Sequence, residues 1–105
     1  MLFKNLIMPD LRYDVTPEEE AIIINTYISQ TNSPALKRYP AREKKKIVIL
    51  KEICKQFESN KKYAESDLNL ILEKFLDDTA TLRRGLVSYG LMERERDGSL
   101  YWLTH

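Results

Sequence analysis

Residues 77–103, DDTATLRRGLVSYGLMERERDGSLYWL, decide how the rest of the chain is read. Leu82, Leu86 and Tyr89 fall at i, i+4 and i+7, one face of a helix. Gly90 follows the last apolar position, where a left-handed C-cap is least strained for glycine. Leu91 to Arg96 and Ser99 to Leu103 are two extended runs separated by Asp97-Gly98. That dipeptide predicts a tight hairpin turn of type I′, with positive φ at both central residues. A helix running straight into a two-stranded hairpin is the second half of a winged helix-turn-helix. The expected fold is therefore mainly α with a small β-hairpin: three helices plus a wing, preceded by an extra N-terminal helix.

Working outward, Glu65 to Phe75 is the helix before this stretch, with Leu68, Ile71, Leu72 and Phe75 at helical spacing. Leu76-Asp77-Asp78 is the turn between the two, and Lys61 to Ala64 is short and extended. Ala41 to Phe57 forms a further helix whose apolar stripe is Ile47, Leu50, Ile53, Cys54 and Phe57; Ser59-Asn60 ends it. Thr31-Asn32-Ser33-Pro34 and Tyr39-Pro40 are breaks, so residues 31–40 read as a linker. Thr16 opens the first helix, with Pro17 at the first helical position and Glu19 completing a capping box. This helix runs to about Ser29, and Ile22, Ile23 and Ile24 give it a wide apolar arc. Such an arc packs either on its own domain or on a second subunit. Residues 1–15 read as an apolar arm followed by a turn at Pro9-Asp10. The predicted division is residues 1–36, arm and helix serving dimerisation, and 37–105, the winged-helix domain.

A chain of 105 residues suits one domain with a real core. Ten aromatic residues and many Ile and Leu argue against disorder. The single cysteine, Cys54, excludes an intrachain disulfide and fits a reducing, cytoplasmic setting. The opening MLFKNLIM lacks the basic segment and cleavage site of a signal peptide. No run approaches the ~18 apolar residues of a membrane helix, so no membrane partner is expected. Net charge is +1, but residues 1–36 hold two basic and five acidic side chains, and 37–105 hold fifteen and eleven. A basic C-terminal part is compatible with nucleic acid and equally with an acidic protein surface.

The runs LKRYPAREKKKIVIL (36–50) and KKYAESDLN (61–69), followed by residues 77–103, resemble one bacterial family, the domain of unknown function numbered two thousand and eighty-seven. The resemblance covers about residues 36–103. Its more specific motifs are Asp-x-x-Thr-Leu-Arg-Arg, here Asp78 to Arg84, and Asp-Gly-x-x-Tyr-Trp, here Asp97 to Trp102. It implies a winged helix of the kind seen in regulator-type proteins, and carries nothing onto residues 1–35.

Enzyme chemistry finds no purchase. The one histidine is His105, the last residue, read as disordered. Cys54 reads as a small buried thiol, and Asp77 and Asp78 as helix-capping residues. With glycine only at positions 85, 90 and 98, there is no phosphate loop. No cofactor or metal is expected.

The leading reading is a DNA-binding transcriptional regulator, or the accessory domain of one, with duplex DNA as partner. In a helix-turn-helix the second helix enters the major groove. With Leu82 and Leu86 inward, Arg84 points outward, beside Thr81 and Ser88. Arg83 lies on the flank; for Arg83 and Arg84 alike the alternative to a base contact is a brace to Asp77, Asp78 or Glu73. Arg94 and Arg96 share one face of the wing, alternating with Glu93 and Glu95. Lys44, Lys45 and Lys46, with Lys62, are candidates for phosphates; a solvated face is the other reading of that run. About four to six phosphates per domain would give a log–log salt slope near −4 to −5. A homodimer through the first helix would add a second half-site. The alternative function is a protein-interaction module on the same fold.

Overall fold

The computed structural model describes residues 14–29 and 35–104. The expected arm and Pro9-Asp10 turn, the Thr31–Pro34 loop and His105 lie outside the described residues. In chain order the elements are α1 (Pro17–Tyr27), α2 (Glu43–Cys54), β1 (Tyr63–Ala64), α3 (Glu65–Leu72), α4 (Thr79–Ser88), β2 (Met92–Arg94) and β3 (Leu100–Leu103). The described residues thus form a mainly helical fold with one small antiparallel sheet, strand order β1-β3-β2.

α1 starts as its sequence dictates. The Thr16 hydroxyl accepts the Glu19 backbone N–H at 3.1 Å, and Pro17 takes a position whose N–H has no helical acceptor. The helix ends at Tyr27, short of Ser29, because Ile28 turns extended and bridges antiparallel to Leu36. Lys37 N–H donates to the Tyr27 carbonyl and Leu36 N–H to the Phe75 carbonyl, each at 2.8 Å. The stretch 31–40, expected to be a linker, therefore has its described end locked into the fold. A boundary between 36 and 37 falls inside this bridge, and one core runs across it: Ile23, Tyr27, Ile28 and Leu36 are buried in the same cluster as Leu68, Leu82 and Tyr101. The isoleucine arc is spent largely within the chain; Ile22 alone of the three is left exposed, at 66 %.

α2 buries Ile47, Leu50, Ile53 and, just past its end, Phe57, as its stripe predicts; Cys54 is only half-buried. Val48 and Ile49 are buried too, because α1 packs against α2 and encloses it on more than one face. The helix is shorter at both ends than the expected 41–57. Asn60 then takes φ +62, a left-handed turn that asparagine tolerates. α3 ends at Leu72 and continues as turns to Phe75, which remains buried.

α4 buries Leu82 and Leu86 completely. Asp78 caps it by accepting from the Thr81 backbone N–H. Tyr89 is its C-cap and only half-buried, and Gly90 follows with φ +74. A Cβ on Gly85 would lie 2.8 Å from both Leu50 Cδ1 and the Tyr39 hydroxyl, so this glycine lets α4 approach α2 closely.

The hairpin is closed differently from expectation. Gly98 N–H donates to the Glu95 carbonyl and Glu95 N–H to the Leu100 carbonyl, both at 2.9 Å. Only Gly98 has positive φ (+76); Asp97 does not. The loop is thus a four-residue connection, Arg96 to Ser99, built on a turn through Arg96-Asp97 followed by a left-handed glycine, in place of a two-residue type I′ turn. Asp97 supports it by accepting the Ser99 N–H at 2.9 Å. Register pairs Met92 with Leu103, Glu93 with Trp102 and Arg94 with Tyr101. Alternation left the inward face open, since both faces of β3 are apolar. Met92 and Tyr101 are the buried ones, whereas Trp102 is only half-buried.

Candidate nucleic-acid interface

α4 turns its outer edge toward two surface hollows that share Arg84 and Ser88. One, about 340 Å³, lies between α4 and the hairpin and is lined by Arg83, Arg84, Val87, Ser88, Arg94 and Tyr101. The other, about 240 Å³, lies on the α2 side, where Tyr39, Lys46, Thr81 and Gly85 join Arg84 and Ser88. Arg84 is exposed, and among the described residues it has no ion-pair or hydrogen-bond partner. Ser88 is exposed beside it. The helical spacing that put Leu82 and Leu86 inward accounts for both placements.

Arg83 is held instead. One of its terminal nitrogens donates to Asn69 Oδ1 at 2.7 Å and to Thr79 Oγ1 at 3.2 Å. Its Nε lies 4.0 Å from Glu65 Oε1. It braces α4 against α3, through partners other than the expected Asp77, Asp78 or Glu73. Glu65 also accepts the Tyr101 hydroxyl at 3.2 Å, joining α3 to β3 at the same corner. Thr81 is likewise engaged: its hydroxyl donates to Asp78 Oδ2 at 2.6 Å. The Thr81 hydroxyl and N–H together hold the Asp78 carboxyl below the usual carboxylate range, with Arg84 and Arg83 adding a smaller pull.

Arg94 leaves β2 on the Tyr101 side and folds back over the turn, one terminal nitrogen 3.4 Å from the Glu95 carbonyl and 3.3 Å from that of Arg96. Arg96 sits in the turn itself, beyond the end of β2, so strand alternation does not put it on the same face as Arg94.

The lysines are mostly spoken for. Lys44 Nζ is 2.6 Å from Glu19, tying the start of α2 to α1. Lys45 lies 5.6 Å from the centre of the Tyr27 ring, which also carries Arg38 at 5.1 Å. Lys46 stands 5.5 Å from the Tyr39 ring and Lys62 4.7 Å from that of Trp102. At exposed sites such cation–π contacts contribute about 0.5–1 kcal/mol, so they orient a lysine without sequestering it. The Lys44–Glu19 pair does neutralise charge. The basic run at the start of α2 therefore works partly as joinery between α1 and α2, while Lys46 lines a hollow beside α4.

Tyr39, Val87 and Tyr101 also line the hollows, and spacing did not single them out. Tyr39-Pro40 signalled only a break. Burial pushes the Tyr39 hydroxyl up to about 12, so it stays a neutral group at the edge of its hollow. Cys54 is raised to about 12 by burial, which makes it an unreactive thiol. Among the described residues no group of His, Cys, Asp and Glu is placed to hold a metal ion, and no helix is long and apolar enough to cross a membrane.

Fold and site together define a mainly helical protein with a small antiparallel sheet and an arginine-lined hollow between its last helix and its hairpin. Over residues 35–103 the chain matches, and belongs to, the bacterial family DUF2087, described as an uncharacterized protein conserved in bacteria. No curated protein and no solved structure matches the chain.

Proposed function

We propose that this chain is a DNA-binding transcriptional regulator, or the accessory domain of one, built as a winged helix-turn-helix. α3 and α4 are the helix pair, α4 is the helix for the major groove, and the β2–β3 hairpin is the wing on the backbone. The order helix, short strand, helix, helix, hairpin supports this reading, as does the pairing of β1 with β3. The observation that carries it is the outer edge of α4: an exposed Arg84 with no hydrogen bond or ion pair among the described residues, beside Ser88, with Arg94 of the hairpin lining the same hollow. Arginine reads guanine because its planar fork matches two acceptors in the major groove. Arg84 is the base-reading candidate; Arg94, Arg96 and Lys62 are the backbone candidates. Arg83 and Thr81 act through α4, by bracing and capping it.

A gel-shift on random-sequence duplex at two salt concentrations tests the reading. Binding should weaken as salt rises, and Arg84→Ala should lose about 1–3 kcal/mol and relax sequence preference without lowering the melting temperature. Absence of duplex binding at low salt would replace this reading with a protein-interaction module. The feature favouring that alternative is Leu70, which stands 58 % exposed on α3.

A further inference from the structure

The hollow between α4 and the hairpin has more shape than a flat phosphate-gripping surface requires. Three guanidinium groups from two elements line it, and among the described residues its lining includes no carboxylate. Arg83 is fixed by Asn69 and Thr79, with Glu65 4.0 Å from its Nε, so it contributes field more than free donors. Arg84 makes no hydrogen bond or ion pair among the described residues and acts only weakly on the Asp78 carboxylate. Arg94 uses one terminal nitrogen on the Glu95 and Arg96 carbonyls, which orients its fork, and among the described residues it forms no ion pair, its charge acting only weakly on the exposed Asp97 carboxylate. Ser88 supplies a hydroxyl, and Val87 and Tyr101 supply apolar surface. At about 340 Å³ the space is at the small end of ligand pockets.

The geometry points to a binding site for a phosphorylated small molecule, whose phosphate is clamped between Arg84 and Arg94 and whose organic part lies on Val87 and Tyr101. Arginine forks bind phosphate oxygens in pairs, and two forks from different elements select a compact, multiply charged anion over a single carboxylate. A competition with duplex DNA follows and rests on the reading given above, because the ligand would occupy the two arginines assigned there to the duplex. Such a ligand would release the DNA.

Inorganic pyrophosphate serves as the probe for the phosphate clamp and a short random duplex as the second ligand, with calorimetry and gel-shift as readouts. Expected is saturable pyrophosphate binding, weakened at least about tenfold in Arg84→Ala and in Arg94→Ala, the loss of one charge-assisted contact. Arg94→Lys, which keeps the charge and removes the fork, should also weaken it; Lys55→Ala, at an exposed lysine paired with Glu52 and outside the hollow, should not. Pyrophosphate should displace the bound duplex. Unsaturable binding, or binding indifferent to both arginines, overturns the pocket even if duplex binding stands. Saturable, arginine-dependent binding by a protein that takes up no duplex keeps the pocket and removes the DNA reading. A duplex that stays bound at saturating pyrophosphate refutes the shared use of Arg84 and Arg94.

Discussion

A methyl group at position 85 sets two magnitudes against each other. Alanine is better than glycine within a helix by about 1 kcal/mol. At Gly85, however, the new carbon would sit 2.8 Å from Leu50 Cδ1, at a fully buried side chain, and 2.8 Å from the Tyr39 hydroxyl. Overpacking of this kind costs about 1–3 kcal/mol, so Gly85→Ala should be neutral to destabilising by about 2 kcal/mol. A raised denaturation midpoint would show that α4 is less tightly set against α2 than these distances say. Asp78 offers a pH test of the cap at the same helix. The folded state holds its carboxyl below the usual range, so its contribution is present above the unfolded value of about 3.9 and lost as pH falls through the folded value. Asp78→Asn keeps an acceptor for the Thr81 N–H. It should melt near the parent at neutral pH and show a shallower loss toward acid. An unchanged acid limb in thermal melts would remove Asp78 as a contributor.

The helical elements depend on fully buried apolar side chains, and Leu86 tests the inward face of α4. Leu86→Ala should cost about 2–5 kcal/mol in denaturant melts; a loss below about 1 kcal/mol would contradict complete burial. That face was legible because Leu82 and Leu86 lie four residues apart, a local signal. The caps at Thr16 and Gly90 were legible for the same reason. What sequence could not show was contact between distant elements. Val48 and Ile49 lie outside the predicted stripe and are buried only because α1 is laid against α2. The β1–β3 pairing joins residues far apart in sequence, and the Ile28–Leu36 bridge lies across a stretch that read as a linker. The hairpin turn failed for a different reason: Asp97-Gly98 fits two loop classes, and the hydrogen bond from Gly98 to Glu95 selects the longer one. At the candidate site, the outward placement of Arg84 followed from periodicity. The Asn69 partner of Arg83 and the Glu19 partner of Lys44 belong to other helices, where local spacing gives no view of them.

Across the whole molecule charge is nearly balanced at +1, so any grip on DNA comes from where the cations stand. Counting basic residues along the sequence suggested about four to six phosphate contacts and a salt slope near −4 to −5. Their placement lowers that number. Lys44 is neutralised by Glu19, Arg83 is occupied between α3 and α4, and Lys45 lies on Tyr27 at the α1 side. Arg94, Arg96 and Lys62 remain exposed as the backbone candidates. At roughly 0.9 per phosphate, about three contacts give a slope near −3. Lys44→Ala should leave that slope unchanged and instead loosen the attachment of α1. The stability loss should be about 1 kcal/mol or less, since the pair is partly exposed, with the two side chains 32 % and 40 % accessible. Binding isotherms between 50 and 200 mM salt, run beside thermal melts of the same variant, separate the two effects. A parent slope near −5 that drops by about one in Lys44→Ala would mean that this lysine leaves Glu19 for phosphate, and that α2 belongs to the DNA-facing surface.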